Sequence, residues 1–80
     1  MTLYDLKTGD IAEIVKVSGP SSNRLVELGY TPNTKVKVLN KSLFDGRLIL
    51  IRDNLAGLRS SLAKAIEVRL LKAGEQYARD

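Results

Sequence analysis

The 80-residue chain reads as a mainly β domain: a small, strongly bent barrel of the SH3-like kind, with about five strands, one short helix after the first strand and a helical turn before the last. Three observations predict it. Short apolar segments with strand-like alternation recur between tight-turn dipeptides. The one clear helical pattern, running to about Leu28, is too short to be stable without tertiary packing. No internal repeat or long amphipathic run offers another architecture, and an open α+β sheet is the alternative arrangement of the same elements.

Leu3 and Leu6, three apart and followed by Gly9, predict a single turn laid as a strap across one end of the core. Asp10 to Val17 is the first strand. Ala12 and Ile14 share a face, whereas Val15 and Val17 fall on the other if the period of two holds. A bulge near Val15 and Lys16 brings Val17 inward as well, a common device in curved barrels.

Ser18-Gly19-Pro20 is a turn, and Ser21 or Ser22 is available as the N-cap of the helix. Gly29 suits the left-handed position that closes it. Leu25 and Leu28 lie on the side expected to pack, with Val26 angled away. Thr34 to Leu39 alternates, Val36 and Val38 facing one way and Lys35 and Lys37 the other, as a half-buried strand does.

Asp45-Gly46 makes Ser42 to Ile51 a hairpin corner running into a third strand, whose Leu48 to Ile51 is apolar on both faces. Asp53-Asn54 is a second turn and Ala56 to Leu58 a short strand. Ser60 then caps a helical turn through Leu62 and Ala63. Ile66, Val68 and Leu70 alternate with Glu67 and Arg69 to give the last strand. The domain is expected over 1–71, with 72–80 a fraying tail.

Composition removes most chemistry. With no cysteine and no histidine, the chain has no thiolate, no disulfide, no zinc knuckle and no imidazole base, and it lacks the commonest transition-metal ligands. No phosphate-cradling glycine motif occurs, and Ser21, Ser22, Ser60 and Ser61 lack a histidine partner. The expectation is therefore no catalytic residues, no cofactor and no metal site. No apolar run approaches the roughly 20 residues that span a bilayer, which points to a cytoplasmic protein.

Two surfaces remain. The net charge of +4 is spread along the chain, but Lys35 and Lys37, joined by Lys16, form a candidate basic patch for an acidic protein surface or nucleic acid. With one Phe, three Tyr and no Trp the aromatic platforms of single-strand binders are scarce, so nucleic acid is the weaker partner class. The second surface is Arg24, Leu25, Leu28, Gly29, Tyr30 and Pro32. Its leucines can close the open end of the barrel, while Tyr30 and Pro32, beyond Gly29, are expected to stay exposed and meet a partner.

The ordered pieces Leu3-x-x-Leu6-x-x-Gly9-Asp10, Arg24-Leu25-x-x-Leu28-Gly29-x-x-Pro32-x-Thr34, and Leu58-Arg59 followed by Ala63, Ile66 and Val68 resemble the FeoA family. These are small cytoplasmic proteins of bacterial ferrous iron uptake, whose domain also ends some metal-dependent repressors. The resemblance implies an SH3-like barrel that associates with FeoB, a membrane transporter with a cytoplasmic G domain, and modulates Fe(II) uptake. It implies a place at the inner face of the membrane through that partner. Asn33 stands where the family usually has glycine, and it tolerates the same left-handed turn.

Overall fold

A computed structural model describes residues 1–41 and 45–74. A 3-10 turn, Leu3–Asp5, precedes strand β1 (Ile11–Val17), helix α1 (Ser22–Glu27), strands β2 (Lys35–Lys41), β3 (Gly46–Ile51) and β4 (Asn54–Arg59), helix α2 (Ser60–Ala63) and strand β5 (Ile66–Lys72). The strands form one antiparallel sheet in the order β4-β3-β2-β1-β5. Strand number, helix placement and order are those expected. The Ser42–Phe44 part of the first hairpin corner lies outside the described residues.

One face of the curled sheet supplies the core: Ala12 and Ile14 from β1, Val36 and Val38 from β2, Ile49 and Ile51 from β3, Leu58 from β4, Ile66 and Val68 from β5. Leu3 and Leu6 close one end as a strap and Leu25 and Ala63 enter from the helices. The register of β1 against β5 slips between Ile14 and Lys16, so Val15 stays exposed and Val17 packs against the core. That is the bulge the mixed pattern of β1 demands.

Several local readings are corrected. Ser21 occupies the N-cap of α1, but its hydroxyl makes no capping bond. Leu70 continues the alternation of β5 yet lies exposed, because the core ends at Val68. Beyond residue 71, Lys72 pairs with Ile11, and the buried Gly74 donates its N–H to Asp10 Oδ1 at 2.7 Å. Asp10 Oδ2 accepts from Lys7 N at 2.8 Å, so one buried carboxylate ties the strap to the chain beyond β5. Glu75 to Asp80, the rest of the expected tail, lies outside the described residues.

The β3–β4 turn is shifted by one residue from its expected place. Ile51 pairs with Asn54, leaving Arg52 and Asp53 as a two-residue loop with φ of 52° and 66°. Both central residues left-handed is the primed geometry that matches strand twist and favours Asn-Gly or Asp-Gly. Glycine at the second position is therefore expected to help. Asp53→Gly should raise stability by about 0.5 kcal/mol, read as a higher urea midpoint at unchanged slope.

Candidate partner-docking groove

Helix α1 ends in a Schellman closure. Gly29, at φ 107°, donates to Val26 O and Tyr30 donates to Leu25 O, both at 3.0 Å. This motif satisfies the last carbonyls and brings the residue after the glycine against the helix turn it caps. Leu25 and Tyr30 are accordingly both in the core, Tyr30 only 1% exposed. The expected exposure of Tyr30 is thus overturned, and Leu25 likewise cannot present its side chain to a partner.

Leu28 goes the other way. It sits at the C-cap, where no further helical turn covers it, and is 58% exposed. Beside it a groove of about 300 Å³ opens between the end of α1 and β4, lined by Leu28, Tyr30, Arg52, Leu55, Ala56 and Gly57 among others. Leu55, on the β4 wall, is 63% exposed. Of the six expected partner residues, Leu28 and Tyr30 line this groove. Arg24 and Pro32 are exposed away from its walls, and Gly29 acts through its backbone.

Sequence reasoning missed Leu55 by placing the turn one residue late, which left Leu55 outside the strand. The available signal was the run Leu48 to Ile51: a strand apolar on both faces needs an apolar cross-strand neighbour outside, and Leu50 pairs with Leu55.

The groove is electrostatically simple. Its one charged lining residue is Arg52, whose Nη2 donates to Thr31 Oγ1 at 3.2 Å and Thr34 Oγ1 at 3.0 Å. Burial pushes the Tyr30 phenol above its ordinary pKa, and among the described residues its hydroxyl has no protein partner. Among the described residues no three His, Cys, Asp or Glu side chains gather where they could hold a metal. The arrangement offers a contact surface.

The basic residues do not all converge. Lys35 and Lys37 line a second cavity of about 510 Å³, which also includes Arg52 and Leu50. Lys16 is not part of its wall and pairs in register with Glu67 on β5. Glu13 lies in register between Lys35 and Arg69 and forms an ion pair with Arg69. Along the Lys35–Glu13–Arg69 row the charge therefore alternates in sign, which interrupts the continuous basic stripe that tracks a phosphate backbone.

Comparison with known proteins places this geometry. The FeoA domain matches residues 1–70. The solution structure of FeoA from Chlorobium tepidum is similar at 31% identity, covering 100% of this chain and 79% of that one, with a TM-score of 0.80. A crystal structure of Stenotrophomonas maltophilia FeoA complexed with zinc matches at 26% identity over 86% of this chain and 89% of that one, TM-score 0.78. That protein is described as a procaryotic SH3 domain protein and a candidate activating factor of bacterial ferrous iron transport. A FeoA-like protein from Clostridium acetobutylicum, 18% identical over 96% of this chain and 93% of its own, shares the fold with a TM-score of 0.87. Among curated proteins none matches. With the matched domain spanning nearly the whole described barrel, the chain belongs to the FeoA family.

Proposed function

We propose that this chain is an accessory protein of bacterial ferrous iron uptake. It docks on the cytoplasmic part of the FeoB-type transporter through the Leu28–Leu55 groove and modulates Fe(II) transport there, without supplying reaction chemistry of its own. The carrying observation is the pair of leucines, each more than half exposed, lining one groove. Covering an exposed leucine is worth roughly 1.5–3 kcal/mol, enough for two such residues to dominate a small interface. No described helix is long and apolar enough to cross a membrane. The name of the Stenotrophomonas relative, a candidate iron transport activating factor, supports the same reading.

Leu28→Asp and Leu55→Asp test it. Neither side chain belongs to the core, so both variants should keep the wild-type circular dichroism and melting temperature. Each should weaken binding to the transporter's cytoplasmic domain at least tenfold, about 1.4 kcal/mol, in isothermal titration calorimetry. Binding within twofold of wild type for both would sink the assignment.

A further inference from the structure

The two edges of the sheet are unlike one another. At the β5 edge the N-terminal residues lie alongside: Val68 N donates to Met1 O at 2.9 Å and Thr2 bridges Glu67. That strand also carries Glu67, Arg69 and Lys72. Such covering and charge are how sheet edges avoid pairing with other chains.

The β4 edge has less of both: no other chain segment runs alongside it among the described residues, and its one charge is the exposed Arg59 at the α2 end. Asn54 to Leu58 contains no charge and no proline, and β4 runs against β3 through six consecutive pairs without a bulge. Because a two-residue loop is closed by a hydrogen-bonded pair, Ile51–Asn54, the ladder bonds to β3 belong to Asn54, Ala56 and Leu58. Leu55 and Gly57 then turn their N–H and C=O groups outward. Among the described residues no backbone group outside the ladder bonds to either. Gly57 adds access, since a Cβ built on it meets nothing within 4 Å.

This bare edge is itself a wall of the docking groove: Asn54 to Leu58 line it, together with Leu28. We infer that the groove takes an extended segment of the protein partner, which adds as a sixth strand along β4. Its backbone pairs with Leu55 and Gly57, its alternate apolar side chains pack under Leu28 and against Leu55, and an acidic residue meets Arg52 at the hairpin end. Backbone complementarity selects an extended occupant over a helix, since only a strand satisfies a row of outward donors and acceptors. The lone cation in the groove, on a chain of net charge +4, selects the acidic end.

The inference rests on the proposed docking role, and its test separates the two. The probe is the whole transporter, purified in detergent and titrated with this protein. Gly57→Ala keeps the outward N–H and should bind within twofold of wild type. Gly57→Pro removes that N–H while leaving the β3 ladder intact, as proline permits on an edge strand, and should weaken binding more than tenfold.

Amide hydrogen exchange gives an independent reading should the proline variant fold poorly. In the free protein Leu55 and Gly57 should exchange fast beside protected Ala56 and Leu58, and the transporter should slow both at least tenfold. If Leu28→Asp abolishes binding but Gly57→Pro and the exchange rates do not respond, strand addition is wrong and the docking surface stands. Protection that rises with this protein's own concentration, without transporter, would assign the edge to a second copy and overturn the inference. No binding at all would overturn the docking role with it.

Discussion

Truncating Tyr30 to alanine is expected to destabilise the fold by about 3–5 kcal/mol, whereas Tyr30→Phe should leave it unchanged or raise stability by about 1 kcal/mol. The ring sits with Leu25, Ile51 and Leu58 in the core, so its removal leaves a cavity that the short α1 cannot collapse to fill. Its hydroxyl contributes the opposite sign. It is buried without a protein partner among the described residues, and a buried polar group left unpaired costs desolvation that phenylalanine avoids. Urea denaturation of the two variants reads both effects. A clear loss of stability for phenylalanine would mean that the hydroxyl is bonded after all.

The same burial gives the residue a pH signature. The folded-state pKa of Tyr30 lies above its ordinary value of 10.0 because burial disfavours the phenolate. The folded state therefore holds the proton more tightly than the unfolded chain. This contribution to stability is complete below about pH 10 and is lost as pH rises through the higher folded-state pKa. Wild type should lose stability more steeply than Tyr30→Phe as pH rises above about 10. Parallel curves would show that another group controls the alkaline limb.

Most of the core was legible because strand periodicity reports burial directly. Ala12, Ile14, Val36, Val38, Ile66 and Val68 alternate in sequence and are buried in the barrel. Gly29 and Asn33 were legible for the same kind of reason: the first closes a helix and the second tolerates a left-handed turn, and their φ angles are 107° and 73°. What failed was whatever depended on where a chain end turns. Tyr30 lies after a helix-stop glycine, a position that reads as loop, yet the Schellman closure folds that residue back onto Leu25. Arg52 in a left-handed turn leaves no composition signal, so Asp53-Asn54 reads as the β3–β4 turn, one residue late, and Leu55 falls outside the strand. Half of the groove, the Leu28 wall, could be anticipated. The other half depends on a cross-strand register that only the folded sheet supplies.

Ser60→Ala is expected to lower stability by about 2 kcal/mol, although alanine is intrinsically the better helix former by roughly 0.5 kcal/mol. A helix cap is the natural reading of this serine in sequence, but Arg59 holds the cap position and Ser60 is the first residue of α2. Its hydroxyl is buried and works across the sheet, accepting from Arg47 Nη1 at 2.9 Å and donating to the Asp45 carboxylate. Arg47 occupies an inward position of β3 alongside Ile49 and Ile51 and is only 8% exposed. The Tyr4 carbonyl accepts from its Nη2 at 3.3 Å, and the Tyr4 ring lies 4.3 Å from the guanidinium carbon. With Nε already unpartnered among the described residues, removing the serine acceptor strips a second donor from a desolvated cation. Ser61→Ala, one residue on and exposed, should stay within about 0.5 kcal/mol of wild type. The decisive comparison is the double variant Arg47→Met/Ser60→Ala, which has no buried guanidinium left to satisfy and should be more stable than Ser60→Ala alone. A double variant whose loss is the plain sum of the two single losses would mean that Ser60 and Arg47 stabilise the fold independently.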